Sequence, residues 1–107
     1  MKVVNPFYKS KKWKRKRELI LKRDSYLCQL SKRFGKSTAA NTVHHIYPLE
    51  LYPELALVNW NLTSVNESEH NKIHDRNSNE IIGEGIALQN KFKNEFKKFY
   101  GTPPPHN

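Results

Sequence analysis

Between Ser10 and Asp24, the apolar residues Trp13, Ile20 and Leu21 recur at helical spacing, with Arg17 on the same stripe and Lys or Arg at most other positions. This pattern predicts a basic amphipathic helix over residues 11–23, N-capped by Ser10, with its apolar stripe toward the core. Tyr26, Leu27, Cys28, Gln29 and Leu30 predict a short strand over 26–30, followed by a polar turn containing Gly35. A second strand is expected over 42–47, ending at Pro48, and the two would form an antiparallel hairpin with a long connection. Residues 49–61 contain Pro53 and show no clean period, which predicts a loop holding a helical turn. Ser64 and Glu67 have the spacing of a capping box and predict a helix over 65–76. After a polar break with Gly83 and Gly85, Leu88, Phe92, Phe96 and Tyr100 lie four apart and predict an amphipathic helix over 84–100. The proline-rich tail, 101–107, is expected to be disordered.

A chain of 107 residues suffices for one core, so a single α+β domain over 1–107 is expected: a basic arm and helix (1–23), a central core (24–76) and a C-terminal helix (84–100). Apolar residues make up only 36% of the chain, and a bound metal would help so small a core to hold. The formal net charge of +9 is unevenly spread. Residues 1–23 hold ten of the nineteen Lys and Arg and one acid, Glu18, whereas residues 24–107 carry nine of each sign. A lone charge run is usually a solvated face. Here Phe7, Tyr8 and Trp13 are interleaved with it, which favours a surface that tracks phosphates through Lys11, Lys12, Lys14 and Arg15. The single cysteine, Cys28, excludes an intramolecular disulfide and suits a reducing cytoplasm. No apolar run is long enough to span a membrane, and no signal segment is expected at the start.

Four of the five histidines fall within 31 residues, at 44, 45, 70 and 74. His70 and His74 are four apart on the predicted helix, the spacing by which one helix face offers two nitrogens to a cation. Such a pair alone is weak evidence. His44 and His45 at a strand end change its weight: a helix packed on the hairpin can close a three-nitrogen site and leave one imidazole over. Three protein ligands with an open position are typical of catalytic metal sites, whereas a structural site wants a fourth ligand and no spare base.

Val43, His44, His45 and Ile46, then Asn61 and Leu62, then His70 and His74, resemble the motif of the HNH endonucleases, whose fold is the ββα-metal fold. Asn61 follows His45 by sixteen residues, His70 follows Asn61 by nine and His74 follows His70 by four, spacings similar to those of the DNase colicins. The flanking text, from Phe7 to Trp13 and from Arg23 to Gln29, is more similar to the short HNH proteins of bacteriophages and prophages. The resemblance covers about residues 7–76. It implies that His44, His70 and His74 are metal ligands, that His45 is the general base, and that Asn61 holds the loop orienting His45, with Asn59 as a nearby rival. It also implies hydrolysis of DNA phosphodiester bonds by a one-metal mechanism leaving 5′-phosphate and 3′-hydroxyl ends, in the cytoplasm of a bacterial host. The ion would be one divalent cation, Zn, Ni, Mn or Mg; imidazole ligands suit the transition ions better.

The chain departs from that pattern in two places. Many phage-type members bind a structural zinc through two Cys-x-x-Cys pairs, and the corresponding positions here are Cys28 and Ser31, then Asn66 and Glu69. One thiol cannot form a four-thiolate site. An arginine that the colicins carry just upstream of the His pair also has no counterpart, since residues 38–42 contain no base. Arg23, Lys72 and Arg76 are the other candidates to contact phosphate. Two readings from other classes stand beside the nuclease: a noncatalytic nucleic-acid-binding module held by a structural zinc, and a phage DNA-packaging accessory protein that partners the terminase.

Overall fold

The Ser10 hydroxyl accepts the Trp13 N–H at 3.1 Å, and helix α1 (Lys11–Arg23) follows with the bounds its pattern predicts. The computed structural model describes residues 5–75 and 80–101. Trp13, Ile20 and Leu21 are the buried residues of α1, while Lys11, Lys12, Lys14 and Arg15 face outward.

The strand expected over 26–30 does not form. Ser25 and Tyr26 both take left-handed backbone, with φ of 58° and 57°, a region that residues with a Cβ rarely occupy. The Tyr26 N–H closes back on the Leu21 carbonyl at 2.8 Å, so the chain reverses instead of extending. Cys28 then caps the short helix α2 (Gln29–Arg33), its sulfur accepting the Ser31 N–H. Leu27 keeps a single antiparallel bridge, to Ala39.

Strand β1 (Thr42–His45) pairs instead with β2 (Leu62–Val65), antiparallel, with Thr42 opposite Val65 and His45 opposite Leu62. The connection contains the expected helical turn as two 3₁₀ turns, Pro53–Leu55 and Asn59–Asn61. The free edge of β2 is closed by the end of α1. The Asp24 carboxylate accepts the Ser64 N–H at 3.0 Å, and the Arg23 guanidinium donates to the carbonyls of Leu62 (2.7 Å) and Asn59 (2.9 Å) and to Asp24. Backbone groups that would otherwise present an open edge are thereby satisfied. Burial pushes the Asp24 carboxyl up, but the hydrogen bonds from Arg23 and Ser64 outweigh it and hold the group below its ordinary value.

Helix α3 (Glu67–Lys72) starts two residues later than the capping box predicts, because Ser64 belongs to β2. Asn66 is the N-cap, its Oδ1 accepting the Glu69 N–H at 2.7 Å. The helix also stops short of His74, which lies on the extended backbone just beyond and bridges to Ile81. The helix expected over 84–100 is two, α4 (Glu84–Lys91) and α5 (Lys93–Tyr100), with a break at Phe92 (φ −104°, ψ 18°). Arg76 and the tail from residue 102 lie outside the described residues.

Alternation along β1 and β2 sends apolar residues to both faces of the sheet. On one face Val43 and Leu62 pack with Trp13, Ile20, Leu21 and Ala40. On the other, Ile46 and Val65 pack with Cys28, Leu30, Ile73 and Leu88. The Tyr47 hydroxyl donates to the Gln89 carbonyl and the Gln89 amide donates to the Ile46 carbonyl, which ties α4 to the end of β1. No described helix is long and apolar enough to cross a membrane.

The four positions aligned with a zinc quartet do converge, through hydrogen bonds. Thr38 Oγ1 donates to Ser31 Oγ (2.9 Å) and accepts from Asn66 Nδ2 (3.0 Å). Cys28 joins through the Ser31 N–H, and Glu69 joins only through its backbone N–H to Asn66, its carboxylate pairing with Lys72. A polar chain centred on Thr38 thus links α2 to the start of α3.

Candidate metal centre

Because side chains alternate along a strand, His44 points to the face carrying α3 and His45 to the face carrying α1. His44 meets His70, on the last turn of α3, with ring centroids 5.1 Å apart, and His74 at 5.3 Å. The Nε2 atoms of His70 and His74 approach to 3.1 Å, and one nitrogen from each of the three rings lies within 4.8 Å of the others. The predicted trio therefore assembles even though α3 ends before His74. Two imidazoles on a tetrahedral ion at the usual metal–nitrogen distance would have their nitrogens about 3.3 Å apart.

The environment keeps His44 and His70 neutral. Burial drives the His44 pKa well below its ordinary value, helped by the charges of His70, His74 and His45. Burial, with His74 and His45, pushes His70 down to about 4. Neutral imidazole is the form that binds metal. His44 Nε2 is buried and has no hydrogen-bond partner among the described residues, a state that costs about 1–3 kcal/mol unless something fills it. A cation satisfies that nitrogen, so these residues fit a metal ion. No carboxylate belongs to the group among the described residues, so the ligands would leave the ion's charge undiminished.

On the opposite face, His45 Nε2 lies 3.0 Å from the Ala56 carbonyl oxygen. A carbonyl only accepts, so the ring donates through Nε2–H and, when neutral, keeps its lone pair on Nδ1. Trp13 stacks on the imidazole at 5.0 Å and 24°, and Phe7 and Tyr8 meet it edge-on. Burial lowers the His45 pKa, while the Ala56 bond and the charge of Glu50 act the other way.

Asn61 is fully buried and makes three hydrogen bonds: its Oδ1 accepts the Tyr47 N–H at 2.7 Å, and its Nδ2 donates to the carbonyls of Tyr47 (3.1 Å) and Leu55 (3.2 Å). It pins the loop at the residue next to Ala56, whose carbonyl His45 engages. Asn59, the rival, is exposed and accepts from Lys16.

The expected phosphate contacts are dispersed. Lys11, Lys12, Lys14 and Arg15 lie exposed on α1, whose first turn abuts His45 through Trp13. Lys72 is exposed and pairs with Glu69 at 2.9 Å. Arg23 is engaged with Asp24 and two carbonyls, and Arg76 lies outside the described residues. Sequence reasoning placed Trp13 in the core and missed its stacking on His45; its place among the basic residues of the arm was the available signal. The Ala56 carbonyl left no trace in the sequence, since any residue supplies one.

No family model and no curated protein matches the chain. Among solved structures, it is similar to the crystal structure of the HNH endonuclease of the deep-sea thermophilic bacteriophage GVE2 with manganese ion. The two are 39% identical with a TM-score of 0.60, over 62% of this chain and 72% of the phage protein. With that identity over most of the phage enzyme, and with His44 on β1 meeting His70 of α3 and His74 just beyond it, the chain belongs to the HNH endonuclease family.

Proposed function

We propose that the protein is a metal-dependent endonuclease that hydrolyses DNA phosphodiester bonds, with His44, His70 and His74 holding one divalent cation, His45 acting as general base and Asn61 positioning it. The observation that carries this reading is the split between adjacent histidines: His44 offers a partnerless nitrogen to the trio, while His45 is held on the opposite face by a backbone carbonyl. The chain would work as one domain, with the site on residues 24–76.

His45 Nδ1 takes the proton of the attacking water, and the Nε2–H bond to Ala56 fixes both the tautomer and the ring plane that make Nδ1 available. Trp13 blocks one face of the ring, so the imidazole cannot turn without breaking the stack. Asn61 holds the loop that presents the Ala56 carbonyl. His44, His70 and His74 would hold a divalent cation, which would supply Lewis-acid stabilisation to the charge that develops on the phosphodiester. Of Zn, Ni, Mn and Mg, the family member carrying manganese makes Mn²⁺ the first ion to test. Lys11, Lys12, Lys14 and Arg15 would contact the phosphate backbone beside the site.

A plasmid-nicking assay with each of these four ions, and with chelator, tests the proposal. Supercoiled DNA should be relaxed or linearised with at least one ion and stay intact in chelator. DNA binding without cleavage under every ion would favour a noncatalytic module.

A further inference from the structure

A pocket of about 390 Å³ opens where the ends of α1, α2 and α4 meet, in a size range that accommodates small organic ligands. Its floor includes Thr63 and Ile46. Thr63 is the cross-strand partner of His44, and Ile46, just past the end of β1, packs with Val65 on the face of the histidine trio; Leu62, Arg23 and Asp24 add the free edge of β2 to the lining, so the pocket lies at that edge and reaches onto the trio's face.

The pocket's chemistry is anion-seeking and aromatic. Lys32 and Arg33 come from α2, Lys91 from the end of α4 and Arg23 from the end of α1, against one acid, Asp24. That acid already accepts from Arg23 and Ser64. Arg33 makes one long contact with Glu84, 4.0 Å between half-exposed side chains, which holds it weakly. Lys32 and Lys91 are exposed and engage no acid among the described residues. One wall is Trp60, whose ring lies 6.2 Å from Phe92 at 21° and meets Tyr47 at 81°, so it is braced from two sides.

We infer that this pocket binds one unpaired nucleotide of the substrate strand, its base against Trp60 and its phosphates on Lys32, Arg33 and Lys91. The inference rests on nucleic acid being the substrate. A strand that runs past the trio would lie on the same face of the sheet. A base within a duplex is stacked and paired on both sides, so only a single-stranded or flipped nucleotide reaches an aromatic wall. The enzyme would then favour substrates with single-stranded character next to the scissile bond.

The test measures binding apart from cutting. The manganese-loaded full chain is titrated against a labelled, cleavage-resistant phosphorothioate oligothymidylate of about ten nucleotides, its abasic counterpart, and a duplex of equal length. Trp60→Leu should weaken the oligothymidylate by about 5- to 150-fold while Trp60→Phe restores most of it, and the duplex should change by less than about two-fold. Because Trp60 also packs on Tyr47 and Phe92, the exposed pair Lys32→Gln with Lys91→Gln serves as a second variant. It should weaken the single strand and reduce its salt dependence, with the fold intact by circular dichroism. Equal binding of the abasic and thymidylate strands, single-strand affinity unmoved in either folded variant, or full competition by polyglutamate would overturn the inference. If the wild type still nicks plasmid in that event, the nuclease reading stands and the pocket alone fails. A chain that binds neither strand nor duplex and cuts nothing would sink both.

Discussion

Asp24 joins the end of α1 to the free edge of β2, and its carboxylate carries both the Arg23 pair and the Ser64 N–H. Removing it as Asp24→Ala should cost about 1.5–3 kcal/mol in urea unfolding at neutral pH, because a backbone donor loses a charged acceptor. The pH dependence has a definite sign. A carboxyl held below its ordinary value in the folded state stabilises fully above the unfolded pKa, about 3.9, and loses that contribution as pH falls through the depressed folded value. The gap between wild type and Asp24→Ala should therefore be constant from neutral pH down to about 5 and shrink below that. A gap that does not close in acid would show that the Arg23 and Ser64 bonds are not its source. At this scale the sequence was informative where chemistry is tied to spacing. The spacing of His44, His70 and His74 anticipated their meeting, and of the two candidate asparagines Asn61 is buried with three internal side-chain hydrogen bonds while Asn59 faces solvent. Ser64 was misread as a cap because the residue type suits a helix start, whereas it lies in β2, its N–H donating to the Asp24 carboxylate and its hydroxyl to the Ile20 carbonyl.

Elements were legible when one periodicity dominated and no neighbour competed. Helix α1 has a capping serine and a clean apolar stripe, and it forms as read. Residues 26–30 carry β-favouring side chains, but the left-handed pair at Ser25 and Tyr26 and the cap at Cys28 turn them into a reversal and a short helix. Bonds to the following segment lock this arrangement beside the local ones: the Cys28 N–H donates to the Thr38 carbonyl and the Tyr26 carbonyl accepts the Ala40 N–H. The four-residue spacing through Phe92 predicts one helix, yet Phe92 turns to stack on Trp60 and the helix breaks there. The hydrogen-bonded chain through Thr38 joins α2 to the start of α3 between Ser31 and Asn66, two of the positions aligned with the zinc quartet. Cys28→Ser should leave metal content and nuclease activity near wild type and cost a modest loss of stability, since Cys28 is wholly buried beside Leu30 and Val65. Elemental analysis finding two tightly bound metals per chain, one lost in Cys28→Ser, would contradict this.

Over the whole molecule, the excess charge lies on the N-terminal arm and α1, and the same segment supplies Phe7, Tyr8 and Trp13 to the surroundings of His45. One element thus braces the candidate base and presents Lys11, Lys12, Lys14 and Arg15 to solvent next to it. Replacing these four by Gln should weaken DNA binding for every sequence and flatten the log–log salt dependence by about one unit per lost phosphate contact. An unchanged slope would make the face merely solubilising. The most direct test of the account is the cleavage rate of His45→Ala at saturating Mn²⁺, measured on protein whose metal content has been verified. We expect the rate to fall by about 10² to 10⁴ with the metal content and DNA affinity of the wild type; cleavage at the wild-type rate would remove His45 from the chemistry and contradict the mechanism.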